Sequence, residues 1–413
     1  MASAPAKAIV KHGIKENIGT FSLLLIINLF VGSMVGLERT VLPLVGEKQF
    51  ALASTSAALS FIVSFGLSKG IVNYFAGQIA DRLGRKKVLI LGWIIGFFVP
   101  LLVIVAHEWW VIVAANVFLG INQALTWSMT VNMKIDLVKA NQRGLAIGLN
   151  EAAGYVGLSL AAMLSGYVAA SYSLRPEPFL LGFVFIAIGL VLSLTVRSTE
   201  EHLRLQSVQQ GKTSLSAREI FWLASWKDRN LSSSTLAGIA TNLKDGMAWG
   251  LFPLFLLMQG LSVGKSGLII AAYPVAWGCC QLFTGYLSDR VGRKKLIVSG
   301  MILQGAAIWW ILLSHSFPMW FTGSILLGLG TALVYPTLQA AISDVAQPHM
   351  RASIMGVYRF WRDIGYALGA ILAGLLTDFI NIYWAMGLVA LLPLLAGIGA
   401  SVRMKETLLQ KAR

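Results

Sequence analysis

The chain has 413 residues, of which 56% are hydrophobic and only 12% are charged. A soluble domain has roughly 25% charged residues, so this composition excludes a soluble globular protein and makes the lipid bilayer its solvent. The net charge of +15 does not indicate nucleic-acid binding, because the basic residues lie between apolar runs. Positive charge in such loops sets the orientation of a membrane protein.

The apolar runs predict an all-α membrane protein with twelve spans, since a membrane helix needs about 20 apolar residues. A polar stretch at 198–230 separates two groups of six spans and predicts a cytoplasmic linker with a short amphipathic helix at 217–226. The predicted domains are therefore residues 1–197, 198–230 and 231–413. The twelve predicted spans are 18–44, 51–79, 86–106, 109–133, 144–171, 178–197, 231–257, 264–287, 293–314, 318–343, 352–376 and 381–403.

The distribution of Lys and Arg predicts which side of the membrane each loop occupies. Basic residues are concentrated at both termini, in the loops after the second, fourth and eighth spans, and in the linker. These segments all fall on one side if the twelve spans alternate. Because basic loops stay in the cytoplasm, we predict that both termini are cytoplasmic.

An eleven-residue sequence occurs twice, as GQIADRLGRKK at Gly77–Lys87 and as GYLSDRVGRKK at Gly285–Lys295, which are 208 residues apart. Each copy lies between two apolar runs and predicts a short charged hairpin between membrane helices. The same offset matches Gly120 with Gly328, Asp136 with Asp344 and Arg143 with Arg351. Loop charges and distant glycines in one register indicate an internal duplication of the six-helix unit.

The duplicated hairpin resembles the G-x-x-x-D-R-x-G-R-[RK] signature of the major facilitator superfamily. The matching residues are Gly77, Asp81, Arg82, Gly84, Arg85 and Lys86, and then Gly285, Asp289, Arg290, Gly292, Arg293 and Lys294. The resemblance implies two six-helix halves related by a pseudo-two-fold axis along the membrane normal. It also implies that the hairpins, together with Asp136, Arg143, Asp344 and Arg351, form a gate on the cytoplasmic side.

Within this family the hairpin is most similar to the drug:proton antiporter branch, but two features of that branch are missing. Asn116 stands before Gly120 in the fourth span, where the branch usually carries an arginine. The fifth span also lacks the proline-containing antiporter motif. The resemblance therefore leaves the substrate open.

Charged residues inside spans are energetically costly, so each is a candidate for a role in transport. Among the carboxylates, Asp245 and Glu38 are the first candidates for the group that carries the coupled proton, and Glu151 is the second. Glu151 and Arg359 stand at equivalent positions of the two halves, which favours either an ion pair or a role in transport. The spacing of Arg359 and Asp363 predicts a pair on one helix face. The full set of charged candidates is Glu38, Lys69, Glu151, Lys244, Asp245, Arg359, Arg362 and Asp363.

Polar and aromatic residues within the spans are further candidates for contact with a substrate, since aromatic rings stack on ring-bearing ligands and on cations. Ordinary packing between helices is the alternative interpretation. These candidates are Asn122, Gln123 and Trp127 in the fourth span, Trp277 and Gln281 in the eighth, and Tyr335 in the tenth.

The function predicted from these features is secondary active transport by alternating access, as proton-coupled export of a small organic molecule through the inner or plasma membrane. The expected partners are a small-molecule substrate, protons and the lipid bilayer, and we expect a monomer without cofactor, metal or catalytic residues. One alternative is an organic-anion transporter working in either direction. Another, from a different class, is a non-transporting membrane sensor or scaffold.

Overall fold

The computed structural model describes residues 12–52, 54–139, 142–202, 215–346 and 351–408, and these form helices joined by short connections. In the first half the helices are α1 (Ile18–Arg39), α2 (Leu42–Lys48), α3 (Thr55–Ala58), α4 (Ser60–Leu83), α5 (Arg85–Gly96), α6 (Phe98–Val105), α7 (Trp109–Leu137), α8 (Arg143–Ser171) and α9 (Glu177–Thr195). The linker contains α10 (Ala217–Trp222). The second half contains α11 (Arg229–Met258), α12 (Val263–Val291), α13 (Arg293–Leu313), α14 (Phe317–Val345), α15 (Arg351–Phe379) and α16 (Ile382–Arg403).

Nine helical segments in the described part of the chain are long and apolar enough to cross a membrane. Three further helices, α4, α11 and α15, have 24, 30 and 29 residues and contain the candidate charges Lys69, Lys244 and Arg362. The chain is therefore an all-α, multi-pass membrane protein, as predicted from its composition. The total of twelve spans stays a prediction, as do the domain boundaries.

Within each half, glycines let two helices pack with their backbones in contact. A Cβ on Gly157 of α8 would lie 1.9 Å from the carbonyl oxygen of Leu29 in α1. At the equivalent position of the second half, a Cβ on Gly365 of α15 would lie 2.7 Å from the carbonyl oxygen of Ile239 in α11. Small residues at such crossings are how membrane helices gain van der Waals contact. The duplicated glycines thus produce the same packing twice.

The two halves meet along two helix pairs, α4 with α15 and α8 with α12. A Cβ on Gly66 of α4 would lie 2.6 Å from the backbone nitrogen of Ala367 in α15. In the second pair, the ring of Tyr155 in α8 stacks on Trp277 of α12 with centroids 3.6 Å apart. These two contacts flank the space between the halves.

At the end of the bundle opposite the duplicated hairpins, the carboxylate of Asp378 joins the halves. It accepts hydrogen bonds from Ser54 Oγ at 2.7 Å, from the Thr55 backbone nitrogen at 2.6 Å and from the Ser56 backbone nitrogen at 3.0 Å. The last two donors belong to the first turn of α3, whose free N–H groups need acceptors. This contact holds the connection after α2 against the end of α15.

The predicted hairpins are confirmed as single-residue turns. Gly84 separates α4 from α5 with φ of 87°, and Gly292 separates α12 from α13 with φ of 107°. Only glycine adopts such angles without strain. The helix predicted in the linker is present as α10, which begins with a capping box between Ser216 and Glu219 and continues as a π-helical turn at Leu223–Lys227.

Candidate functional site

A cavity of about 30 Å³ lies between the two halves, among α1, α4, α7, α8, α14 and α15. A space of this size holds one or two water molecules and is far smaller than the several hundred Å³ of a typical ligand pocket. The structure is thus closed around the centre of the bundle. The lining residues are Val35, Arg39, Phe65, Lys69, Asn73, Gln123, Trp127, Ser128, Glu151, Tyr155, Leu158, Tyr335, Gln339, Arg359, Arg362 and Tyr366.

Lys69, a predicted site residue, lines this cavity from α4. Its ammonium nitrogen lies 5.3, 5.9 and 5.5 Å from the ring centroids of Phe65, Trp127 and Tyr366. These rings give the ammonium cation–π contacts, which stabilise a cation that has left water. No carboxylate lies within ion-pair distance of it among the described residues.

Arg39 also lines the cavity, and the site prediction did not include it. The first apolar span extends to Lys48 rather than to the predicted end at 44, so Arg39 is further from the end of its span than predicted. Its side chain is buried, and its guanidinium carbon lies 4.8 Å from the ring centroid of Trp249 in the other half. Within the described part of the chain, its Nε has no hydrogen-bond partner.

Glu151 and Arg359, which occupy equivalent positions in the sequence repeat, line the cavity from opposite halves. Glu151 Oε1 accepts hydrogen bonds from Trp127 Nε1 at 2.9 Å and from Asn150 Nδ2 at 3.3 Å. Within the described part of the chain, no ion pair joins Glu151 to Arg359. The two groups face one space without neutralising each other directly.

The predicted pair of Arg359 and Asp363 is wrong. Asp363 pairs instead with its neighbour Arg362, whose Nη2 lies 2.7 Å from Oδ1. Asn73 of α4 donates a hydrogen bond to Asp363 Oδ2 at 2.6 Å. The arginine side chain is long enough to bend back to the adjacent residue, and the amide of the other half takes the remaining oxygen. Asp363 is thereby fully engaged.

Lys244 and Asp245 are fully buried in α11 and do not line the cavity. Lys244 Nζ lies 2.7 Å from Asp245 Oδ1 and 3.0 Å from Thr331 Oγ1. The hydroxyl of Tyr273 hydrogen-bonds to both members of the pair. This arrangement is a neutral polar cluster inside the second half.

Glu38 is completely buried in α1 and does not line the cavity. Among the described residues, neither of its carboxyl oxygens has a partner at ordinary hydrogen-bond distance. The side chain faces the amide of Asn116 in α7, whose Nδ2 also donates to the carbonyl of Ile112 at 3.2 Å. The Glu38 carboxyl thus has at most a contact with this amide and, in the described part of the chain, no ion pair.

The polar and aromatic candidates divide into two groups. Gln123, Trp127 and Tyr335 line the cavity, and so do residues that the prediction missed, among them Asn73 and Tyr155. Asn73 and Tyr155 follow the predicted residues Lys69 and Glu151 by four positions. That spacing places both residues of each pair on one helix face, so these residues could have been found from the sequence.

The remaining candidates lie outside the cavity lining. Asn122 donates to the carbonyl of Gly92 at 2.8 Å and is fully buried between α5 and α7. Trp277 has its face covered by Tyr155, and Gln281 is buried on the same helix. These side chains pack helices together, which is the alternative that sequence analysis left open.

At the hairpin end, one three-residue network occurs in both halves. Arg85 pairs with Asp136 at 2.8 Å, and Asp136 accepts a hydrogen bond from Thr199 at 2.9 Å. In the second half the same contacts involve Arg293, Asp344 and Thr407, at 3.1 and 3.4 Å. All three positions obey the offset of 208, so Thr199 and Thr407 could have been found from the repeat.

This network ties the hairpin to the end of the fourth span and to the segment after the sixth, all within one half. In each half, one acidic residue of the predicted gate is thus paired with one hairpin arginine. The prediction of a gate between the halves also involved side chains that lie outside the described part of the chain, those of Asp81, Arg82, Arg143, Asp289 and Arg351.

A carboxylate closes the second hairpin turn. Glu406 accepts hydrogen bonds from the backbone nitrogens of Arg293 at 2.8 Å and Lys294 at 3.2 Å. Burial alone would raise the pKa of the Glu406 carboxyl, but the backbone N–H groups outweigh it and hold that pKa below its usual value. Glu200 Oε1 occupies the corresponding place at Gly84.

Comparison with known proteins places this architecture in a family. The sequence profile of the Major Facilitator Superfamily matches residues 20–243 and again 234–409. The chain is 27% identical to the multidrug resistance protein MdtG of Citrobacter koseri over 83% of its own length and 84% of that protein. It is 25% identical to multidrug resistance protein 2 of Bacillus subtilis, over 96% and 98% of the two chains. It is also 22% identical to an uncharacterized MFS-type transporter of Methanocaldococcus jannaschii, over 89% and 94%.

Proposed function

Because the chain belongs to the major facilitator superfamily and is thus a transporter rather than an enzyme, we propose that it exports a small organic molecule in exchange for protons. Export is supported by the two relatives that are named multidrug resistance proteins. We further propose that it works as a monomer in the inner or plasma membrane, with both termini in the cytoplasm. Alternating access follows from the duplicated halves, which rock about a site between them.

The observation that carries the coupling proposal is the environment of Glu38. An ionised carboxylate without a hydrogen bond or counter-ion is strongly disfavoured in a buried site. A proton on Glu38 removes this charge, and the carboxylic acid can then donate to an acceptor such as the amide oxygen of Asn116. We therefore assign the protonated form of Glu38 to this closed conformation.

Release of that proton requires a conformation in which water or a cation reaches the carboxylate. Arg39, the next residue, faces the cavity, so widening the space on one side would bring solvent close to this part of α1. A group that is protonated in one conformation and ionised in another links proton movement to the conformational cycle. Asp245 is the weaker candidate, since Lys244 already balances its charge.

The test is flux in proteoliposomes with and without an imposed pH gradient. The solutes share one ring system and differ in charge: naphthoate, naphthamide and naphthylmethylammonium. We expect uphill movement of at least one solute, which stops when an ionophore collapses the gradient. Unchanged flux without the gradient would refute proton coupling.

The variant Glu38→Gln keeps a hydrogen-bond donor toward Asn116 but cannot release a proton. We expect it to retain downhill exchange of solute and to lose uphill flux by at least about tenfold. Glu47→Gln is the matched control, because Glu47 is exposed near the end of α2 and the change in charge is the same. Equal loss of uphill flux in both variants would remove Glu38 from the coupling mechanism.

A further inference from the structure

The charges that line the central cavity are mostly positive. Arg39, Lys69, Arg359 and Arg362 reach it, whereas Glu151 is the carboxylate that reaches it among the described residues. Asp363 lies behind Arg362 and balances it. With both carboxylates counted, the set keeps two positive charges in excess.

Ion pairs within the protein do not account for this excess. Arg39, Lys69 and Arg359 have no carboxylate within ion-pair distance among the described residues. Glu151 accepts hydrogen bonds from Trp127 and Asn150. Asp245 forms an ion pair with Lys244 in the separate buried cluster. The buried Nε of Arg39 lies beside this cavity and, among the residues that the structure describes, has no acceptor for its hydrogen bond.

Uncompensated cations at membrane depth are costly, and here both halves contribute them. Arg39 and Lys69 come from the first half and Arg359 from the second, so bringing the halves together increases their repulsion. An anion between them would reverse that effect, because it attracts both halves at once. A ligand that interacts more strongly with one conformation shifts the equilibrium toward it.

Aromatic side chains also line the cavity, those of Phe65, Trp127, Tyr155, Tyr335 and Tyr366. Trp127 and Tyr155 lie with ring centroids 5.4 Å apart, and Tyr155 and Tyr335 lie 6.2 Å apart across the halves. Rings at these separations present faces and edges on which a further ring packs. Cationic groups and aromatic faces therefore line one space.

We propose that the substrate of this site is an aromatic organic anion, whose acid group is a carboxylate or a sulfonate. The acid group binds Arg39, Lys69 and Arg359, and the ring packs against Trp127, Tyr155 and Tyr335. The closed cavity is smaller than such a ligand, so binding takes place in a wider form of the same space. This inference rests on the proposed transport function and names the class of molecule that is carried.

The direction of the membrane potential agrees with export of such a substrate. An anion that leaves the cell moves away from the negative interior, so the potential itself drives the step. Exchange for an entering proton adds a second charge movement of the same sign. Export of this substrate class is accordingly favoured by both components of the proton gradient.

Equilibrium binding in detergent tests the substrate class without any gradient, and is thus independent of the coupling test. The probes are naphthoate, naphthalenesulfonate, naphthamide and naphthylmethylammonium. Their binding is measured by the quenching of tryptophan fluorescence and by the shift in Tm. We expect the two acids to bind at least about tenfold more tightly than the amide, and the ammonium compound to bind most weakly. Tighter binding of the ammonium probe, or no binding of either acid at millimolar concentration, would overturn the proposal.

Variants then locate the acid group. We expect Lys69→Gln and Arg359→Gln each to weaken naphthoate binding by about tenfold while leaving the weak naphthamide affinity unchanged, and Lys69→Arg to restore it. Lys48→Gln is the matched control, since it removes a positive charge at the exposed end of α2. If naphthoate affinity is unchanged in both cavity variants, or falls equally in the Lys48 control, this site does not bind the anion.

Discussion

Among the described residues, three pairs of adjacent, oppositely charged residues are buried, and the two halves use them differently. In the second half Lys244 pairs with Asp245, and Arg362 pairs with Asp363, each at 2.7 Å. In the first half Glu38 precedes Arg39 in the same way, but the described structure contains no ion pair between them. Arg39 turns to the cavity and lies over Trp249, while Glu38 stays buried against Asn116.

This difference separates charges that are neutralised by an ion pair within the protein from charges that are not. Neighbours on a helix point about 100° apart, so they pair only when the longer side chain bends back and nothing else attracts it. A pair that forms is neutral and needs no ligand. A pair that stays apart leaves one group ready to take a proton and another ready to take an anion.

The largest effect is expected from breaking a pair in the second half. Asp245→Asn leaves Lys244 as an uncompensated buried cation, and we expect a loss of about 3 kcal/mol in the free energy of unfolding, in line with broken buried pairs elsewhere. Thermal unfolding in detergent measures it. The double variant Lys244→Met, Asp245→Asn removes both charges and should recover most of the loss. A single variant as stable as the parent would contradict the structural role of this pair.

A smaller effect is expected at the duplicated hairpin network. Arg85→Gln and Arg293→Gln each remove an ion pair that is largely shielded from solvent, with side-chain exposures of 13% and 8% for the two arginines. We expect each to lower the free energy of unfolding by about 1–2 kcal/mol, because the carboxylate keeps its threonine donor. Losses that differ by more than about 1 kcal/mol between the halves would show that the two networks do not contribute equally to the free energy of unfolding.

The variant Arg39→Met tests whether the unpaired arginine of the first half stabilises the fold. Arg39 leaves no counter-ion unpaired among the described residues. Because removal of a costly buried cation offsets the loss of its contact with Trp249, worth about 2 kcal/mol, we expect a net change below about 1 kcal/mol. The same thermal assay applies, with Asp245→Asn as the reference. A loss as large as in that reference would place Arg39 among the structural charges.

The smallest effect is expected at Glu406, and it depends on pH. Its folded-state pKa lies below the usual value of 4.5, so the ionised form stabilises the fold above pH 4.5, and this contribution is lost as pH falls through the lowered value. Because the side chain is exposed, we expect Glu406→Gln to lower Tm by only about 1–2 °C at pH 7. Melting curves at pH 7 and pH 4 should show the difference shrinking at the lower pH. A gap that widens in acid would reverse the assigned sign.

Much of the architecture was readable from the sequence because it depends on local patterns. The apolar runs, the offset of 208 and the paired hairpins predicted the all-α membrane fold and the duplicated turns between helices, which the structure places at Gly84 and Gly292. The family followed from the same motif. These features need only hydrophobicity, glycine geometry and repetition.

The site was predicted less completely, since the choice of partners is a tertiary property. From the sequence, Asp363 matches Arg359 by helical spacing as well as it matches Arg362 by adjacency. Arg39 resembles an interfacial residue until the continuation of its span to Lys48 is known.

The sequence by itself determined that this protein is a duplicated, membrane-embedded helical protein, because bilayer burial and repetition leave a direct record in residue order, and its resemblance to the family added transport. Only the tertiary structure decided which buried charges neutralise each other and which remain for a ligand or a proton. Spans far apart in the chain set those distances: Asn73 reaches Asp363, and Trp249 draws Arg39 away from Glu38. A charge acquires its partner only when the helices have packed, and that packing leaves the cavity positive.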